Sequence, residues 1–162
     1  RSLNSAMLQL SRAFLVEYLQ NCDESQSPIH SLDLSSHSIE CIEELDGANT
    51  EHVRKLNLAH NQLSNIVNLR IFTNVTDLNL SHNRLSNIDG LECMPSLQLL
   101  LLDHNNIHTI SSLQPLRSLK QLHTFSIDEN PICSIPHFNL ILKQILNVPP
   151  ANHHAHTQTQ HE

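Results

Sequence analysis

Residues 53–63 read VRKLNLAHNQL, residues 75–85 read VTDLNLSHNRL and residues 97–107 read LQLLLLDHNNI. Each segment begins 22 residues after the one before it. The spacing continues beyond these segments, where apolar residues align in three further columns: Ile66, Ile88 and Ile110; Leu69, Leu91 and Leu113; Phe72, Met94 and Leu116. Self-similarity at a fixed period of this length indicates a repeat architecture, in which each unit forms one structural turn.

Two looser copies extend the repeat in both directions. The upstream copy has His37 where the other units have Asn. The aligned residues are Ile29, Leu32, Leu34 and Ile39 upstream, and Leu122, Phe125, Ile127, Asn130 and Ile132 downstream. The sequence thus predicts a repeat domain with its C-terminal cap over residues 29–148, with repeats at about 29–52, 53–74, 75–96, 97–121 and 122–143.

Every unit contains a Leu-x-Leu pattern or a close variant of it. Because alternate side chains of a strand point to opposite faces, both apolar residues turn inward and the residue between them turns outward. One unit cannot bury its own apolar side, but stacked units share a continuous core. We therefore expect an α/β solenoid with about five short parallel strands along one wall.

An asparagine follows the strand in four of the five units, at Asn61, Asn83, Asn105 and Asn130. A side-chain amide both donates and accepts hydrogen bonds, so it can satisfy backbone groups where the chain turns away from the sheet. We expect these four residues to form a buried, purely structural ladder. The first unit, with His37, has a neighbour on one side only and is where a broken ladder costs least.

The pattern L-x-x-L-x-L-x-x-N-x-L resembles that of leucine-rich repeats. The 22-residue unit resembles their short intracellular class, typified by a regulatory subunit of protein phosphatase 1. The resemblance implies a right-handed horseshoe arc, with the strands on its concave face and a helical cap at each end. It also implies a non-catalytic module that binds a protein partner.

The two ends of the chain are expected to differ from the repeats. Residues 3–20 have apolar residues largely on one helical stripe, which predicts an N-terminal capping helix, followed by a polar linker to residue 28. The segment Asn130-Pro131-Ile132-Cys133 and the aromatic Phe138 resemble the closing repeat of the family, but Val148-Pro149 departs from it, so the C-terminal cap is divergent. The expected apolar face of the cap helix consists of Leu140, Ile141, Leu142, Ile145 and Leu146. The His- and Gln-rich residues 149–162 are predicted to be disordered.

Composition argues against several classes of function. The net charge is −7 and the nine Lys and Arg residues are scattered, which disfavours direct nucleic-acid binding. No motif for a catalytic nucleophile, paired carboxylates or a phosphate-binding loop is present, so we expect neither an enzyme, nor a cofactor, nor a small-molecule substrate. No apolar run is long enough to cross a membrane. We expect a monomeric domain.

Histidine and cysteine are the residue types of this sequence most suited to binding a transition metal. His60, His82 and His104 share one repeat position, at a spacing of roughly 5 Å in a stacked sheet. No cysteine or carboxylate joins them at ligand spacing, so no metal site is predicted. The four cysteines are far apart in sequence and are interpreted as reduced, buried residues of an intracellular, cytoplasmic protein.

The outward residues of the strands form the candidate site. Most are small or polar, but Leu99 and Leu101 are adjacent apolar residues with Asp77, Asp103 and Asp128 around them. Either they contact a partner, or a loop, the C-terminal tail or a local register change covers them. The predicted partner-binding residues of the concave face are Lys55, Asn57, Asp77, Asn79, Leu99, Leu101, Asp103, Thr124, Ser126 and Asp128.

These observations predict an adaptor or scaffold that docks a protein partner on the concave sheet. The alternatives are a regulatory subunit of protein phosphatase 1 and a component of a ciliary, centrosomal or ribonucleoprotein assembly, since relatives of this repeat class serve in such roles. Cytoskeletal, centrosomal or ciliary association is compatible with the predicted intracellular location. Fold-level resemblance alone does not choose among these roles.

Overall fold

Five parallel strands, one from each repeat, form the main sheet of the computed structural model, which describes residues 9–10, 29–43 and 50–146. Two shorter strands form a separate pair. In chain order the strands are β1 (Gln9–Leu10), β2 (Ser31–Asp33), β3 (Cys41–Ile42), β4 (Lys55–Asn57), β5 (Asp77–Asn79), β6 (Leu99–Leu101) and β7 (Thr124–Ser126). The main sheet runs β2-β4-β5-β6-β7, so neighbouring strands in space are successive repeats. This order confirms the predicted α/β solenoid.

The strand register aligns equivalent residues of successive repeats. Leu56 pairs with Leu78, Leu78 with Leu100, and Leu100 with Phe125. The first four leucines of this column, from Leu32 to Leu100, are at most 1% exposed, because their side chains point into the shared core. Phe125, in the last strand of the described sheet, is half-buried because a neighbouring strand flanks it on one side only.

The return segments on the other side of the core form short 3-10 helices. They span Val67–Ile71, Leu91–Cys93, Ile110–Ser118 and Pro131–Ser134. The longest, Ile110–Ser118, belongs to the 25-residue fourth repeat, and the strand that follows it still pairs in register with β6. Extra residues in a repeat are therefore accommodated on the side away from the sheet.

Gly90 enables close packing between two return segments. Its φ is +106°, and a Cβ at this position would lie 3.0 Å from the Val67 Cα and 3.2 Å from the Ile66 carbonyl oxygen. Both the backbone conformation and the close approach exclude a larger residue without a shift of the neighbouring repeat.

A single α-helix, α1 (Phe138–Leu146), covers the C-terminal end of the described core, which confirms the predicted helical cap. Its buried residues are Phe138, Leu142 and Ile145. The sequence interpretation also placed Leu140 on this apolar face, which is wrong: Leu140 is 59% exposed. At 3.6 residues per turn, position 140 lies on the opposite side of the helix from position 138.

The N-terminal prediction is tested at two residues only. Gln9–Leu10 form β1, which pairs in parallel with β3, so the helix predicted over residues 3–20 is wrong at these positions. Backbone hydrogen bonds to the second strand of the first repeat take precedence there over the helical spacing of apolar residues. The rest of the predicted helix and linker, and the tail predicted over residues 149–162, lie outside the described residues.

Truncation of a core leucine tests the strand phase. We expect Leu100→Ala to lower the free energy of unfolding by about 2–5 kcal/mol, because Leu100 is fully buried. Its neighbour Leu101 is half-buried on the other face, so Leu101→Ala should cost about 1 kcal/mol or less. Urea unfolding of both variants measures the difference, and equal losses would contradict the assignment of inward and outward residues.

Candidate protein-binding face

A buried column of asparagine amides holds the turns that follow the strands. Asn83 donates from Nδ2 to the carbonyl oxygens of Leu58 (2.9 Å) and Leu80 (3.0 Å), and its Oδ1 accepts from the Leu63 amide (3.0 Å). The same arrangement recurs at Asn61, Asn105 and Asn130. All four residues are between 4% and 9% exposed. Each amide therefore links its own repeat to the preceding one.

The first repeat accommodates His37 because the ladder ends there. The His37 side chain is exposed and contacts the Ser35 carbonyl oxygen through Nδ1. The His37 backbone amide instead donates to Oδ1 of Asn61, in the second repeat. The solenoid thus needs no side-chain amide from its first repeat.

In the first three repeats, a second set of polar side chains accepts a hydrogen bond from a backbone amide in the turn that follows the strand. Asn57 Oδ1 accepts from the Ala59 amide (3.1 Å), and Asn79 Oδ1 accepts from the Ser81 amide (3.0 Å). Asp33 does the same for Ser35, and hydrogen bonds from Ser35 lower the Asp33 pKa. Sequence reasoning placed Asn57 and Asn79 in the candidate binding site and missed this local role. The sequence feature that indicates this role is an Asp or Asn two residues before a small residue, and it occurs in three units.

Leu101 occupies the equivalent position of the fourth repeat and cannot accept such a bond. The register places it between Asn79 and Ser126, while Leu99 lies between Asp77 and Thr124. Both leucines are half-buried rather than fully exposed, because the side chains of the adjoining strands flank them. The structure therefore puts an apolar pair on the outer face of β6, two residues apart in the same strand.

The outer side of the main sheet, with the turn residues that follow it, is here called the strand face. It comprises Ser31, Lys55, Asp77, Leu99 and Thr124; Asp33, Asn57, Asn79, Leu101 and Ser126; and Ser35, Ala59, Ser81, Asp103 and Asp128. Four carboxylates and one ammonium group leave it with a net charge of −3. Its third column is less open than the sequence indicated, because Ala59 and Ser81 are buried in the turns.

Asp103 connects the fourth and fifth repeats. Its Oδ1 accepts hydrogen bonds from the Ser126 hydroxyl (2.5 Å) and from the Asp128 backbone amide (2.8 Å). The carboxylate thus supports the turn after β7, where no Asp or Asn is available at position 126. Asp103 and Ser126 therefore stabilise the fold as well as contributing to the strand face.

Three imidazole rings stack along one edge of the strand face. The ring centroids of His60 and His82 are 4.2 Å apart, as are those of His82 and His104, with interplanar angles of 12° and 15°. All three residues have φ between +54° and +56°, and each precedes a ladder asparagine. We call these three residues the histidine column. Desolvation, followed by the proximity of the two neighbouring rings, lowers the pKa of His82.

The histidine column does not have the geometry of a metal site. Parallel stacked rings direct their nitrogen lone pairs side by side rather than toward one point, whereas zinc ligands converge on a tetrahedral centre. Over the described ranges, no group of three or more His, Cys, Asp or Glu residues is placed to hold a metal ion.

Three cysteines lie in the described part of the chain, and all have free thiols, whereas Cys22 lies outside the described residues. The interpretation of them as buried is wrong: Cys93 and Cys133 are exposed and Cys41 is half-buried. Cys133 donates from Sγ to the Ile127 carbonyl oxygen (3.2 Å), and desolvation raises its pKa, which keeps the thiol protonated.

Among the helices of the described residues, none has the length and apolarity needed to span a membrane.

The parallel strands, shared core and asparagine ladder define a leucine-rich-repeat solenoid. The chain belongs to the leucine-rich-repeat family, whose model matches residues 8–149. No sequence among curated proteins matches it.

Two solved structures with similar folds come from different organisms. One is a chain of the SNF/U2A' complex of Drosophila melanogaster, with a TM-score of 0.70 and 28% identity, covering 86% of this chain and 79% of that chain. The other is internalin C2 of Listeria monocytogenes, with a TM-score of 0.53 and 30% identity, covering 68% of this chain and 46% of that chain.

Removal of one ladder amide should destabilise the whole solenoid. We expect Asn83→Ala to lower the free energy of unfolding by about 3–5 kcal/mol, because it leaves two buried carbonyls and one buried amide without their partner. Asn106→Ala, at an exposed position, is the control and should change stability by less than about 0.5 kcal/mol. Similar unfolding midpoints for the two variants would show that the amides are not required.

Proposed function

We propose that this protein is a non-catalytic adaptor whose strand face binds an amphipathic helix of a partner protein. The observation that carries the proposal is the Leu99–Leu101 pair on the outer face of β6. Neighbouring repeats have polar residues at both positions, and the structure leaves the two leucines partly exposed. Family membership supports a protein-interaction module, and the partner chemistry below follows from the residues of this face.

The leucine pair breaks a local pattern that the rest of the sheet keeps. Asn57 and Asn79 gain a turn-closing hydrogen bond that Leu101 gives up. A polar residue there would be better hydrated and would support the turn. A residue that does not suit the local structure is expected at functional positions. An apolar centre within a polar rim is also the usual composition of a protein interface.

The negative charge of the strand face favours a partner segment with positive charge. Asp77 and Asp103 lie beside the leucine pair, and Asp128 lies one repeat beyond. With a net charge of −3, the face is complementary to a helix with central apolar residues and flanking Lys or Arg. Five strands span about 20 Å, which matches about 13 residues of helix.

Similar architecture in a two-protein assembly supports this proposal. The structural neighbour with a TM-score of 0.70 was solved as part of the SNF/U2A' complex. We infer that the present chain likewise functions through association with another protein. Catalysis, a cofactor and a small-molecule substrate have no part in the proposed function, and the phosphatase-regulatory and ciliary or centrosomal roles remain alternatives predicted from the repeat class.

Replacing the leucine pair by its neighbours' residues tests the proposal. The probes are two synthetic 14-residue helical peptides with the same central leucines, one flanked by arginine and one by glutamate. By fluorescence anisotropy, we expect the arginine peptide to bind the natural protein. Leu99→Thr with Leu101→Asn should weaken binding at least about tenfold without lowering the unfolding midpoint, because these residues occupy the same columns in adjacent repeats.

Two controls define the outcome. Val67→Asn removes a 48% exposed apolar residue from the opposite side of the solenoid and should leave binding unchanged. Equal binding of the arginine peptide to the double variant would refute the proposed face, and a collapse of stability would show that the leucines belong to the core. Preference for the glutamate peptide would refute the charge argument.

A ribonucleoprotein component is the second candidate role, and here too we propose that the strand face binds protein rather than RNA. An acidic face repels phosphates, so a single-stranded RNA added in place of the peptide should not bind at 100 mM salt. Salt-dependent RNA binding would reverse this proposal.

We place this interaction inside the cell, in the cytoplasm. The exposed thiols of Cys93 and Cys133 favour a reducing compartment, since disulfides form and persist in oxidising ones. Thiol alkylation of the protein isolated from cells should label both residues, and disulfide-linked forms would contradict the assignment.

A further inference from the structure

The histidine column places three titratable groups side by side on rigidly held backbone positions. Each histidine has a left-handed backbone conformation, and each precedes an asparagine whose amide is held in the ladder. Their backbone amides also donate to the next repeat, from His60 to Ser81, from His82 to Asp103 and from His104 to Asp128. The solenoid therefore fixes the backbone positions from which the ring centroids reach their spacing of 4.2 Å.

Neutral imidazoles stack favourably, whereas neighbouring imidazolium ions at this distance repel each other. Desolvation, together with repulsion from the two neighbouring rings, lowers the pKa of the central ring, His82. Histidine side chains are in general mostly neutral at pH 7.5 and gain positive charge as the pH falls through about 6.5.

The column borders the acidic part of the strand face. Asp103 immediately precedes His104 and raises the pKa of His82, in opposition to the other rings. Glu129 occupies the same left-handed position in the fifth repeat, and Asp128 precedes it. Among the described residues, Arg84 follows Asn83 in sequence, and His37 follows Ser36, which occupies the corresponding position of the first repeat.

We propose that the histidine column is an acid-responsive release element for the basic helix bound on the strand face. At neutral pH the strand face carries a net charge of −3 and holds the arginine-flanked helix. Protonation of two column rings offsets two of those three negative charges at the edge of the face, and the helix dissociates. This inference rests on the proposed function, because the ligand is the one inferred there.

The binding experiment compares pH 7.5 with pH 5.5, a range in which carboxylates of ordinary pKa and arginine keep their charge. We expect the affinity of the arginine peptide for the natural protein to fall about tenfold over this range. The column variant carries His60→Asn, His82→Asn and His104→Asn, since asparagine tolerates the left-handed conformation. Its affinity should change less than about threefold over the same range.

A matched variant separates the column from the other histidines. His52→Asn, His108→Asn and His137→Asn replace three exposed histidines outside the column, one of which, His137, also has a left-handed conformation. This variant should keep the full pH dependence. Equal pH dependence in the column variant and the natural protein would overturn the inference.

A second measurement needs no peptide. Ring-proton NMR should show that His82 protonates at a lower pH in the natural protein than in the His60→Asn, His104→Asn variant, because removal of both neighbouring rings removes their repulsion. Unchanged titration of His82 would overturn the coupling while leaving the proposed function intact. Absence of arginine-peptide binding at pH 7.5 would refute the proposed function, and the release element with it.

Discussion

The need to hydrogen-bond buried backbone groups where the chain leaves the sheet governs the rest of this structure. Each strand of the main sheet has only three residues, so the sheet alone satisfies few backbone groups before the chain turns into the core. The asparagine amides supply the missing partners and join each repeat to the one before it. Because the amides occupy equivalent positions, they also keep the strands in register. The outward residues of the strands and the histidine column are aligned for the same reason.

The features that could be predicted from the sequence are those that depend on the period of the repeat. The 22-residue spacing determined the number and order of the strands, the inward leucines and the positions of the ladder asparagines, since any slip would expose an apolar column. It did not determine events at the ends, where no repeat constrains the chain. Gln9–Leu10 pair as a strand within a segment of helical spacing, and Leu140 faces solvent although Phe138 and Leu142 of the same helix are buried.

The candidate face was only partly accessible to the same reasoning. The alternation of residues put Leu99 and Leu101 on the outer side of β6, but it gave no measure of how far the adjoining strands cover them. It also treated every outward polar residue as available to a partner. In the structure Asn57, Asn79 and Asp103 each accept backbone hydrogen bonds, because short strands need local partners at their ends. A polar residue on such a surface serves the fold first, which makes an apolar residue there the more informative one.

The fourth repeat shows how such a protein tolerates change in length. Its additional residues lie in the 3-10 helix Ile110–Ser118, and β7 nevertheless aligns with β6 as the other strands align with their neighbours. A change of length among the return segments thus leaves the pairing of the strands unchanged. A reporter dye, an affinity tag or a naturally acquired loop grafted into this helix would leave the opposite wall undisturbed, so evolution and the protein engineer are offered the same attachment point.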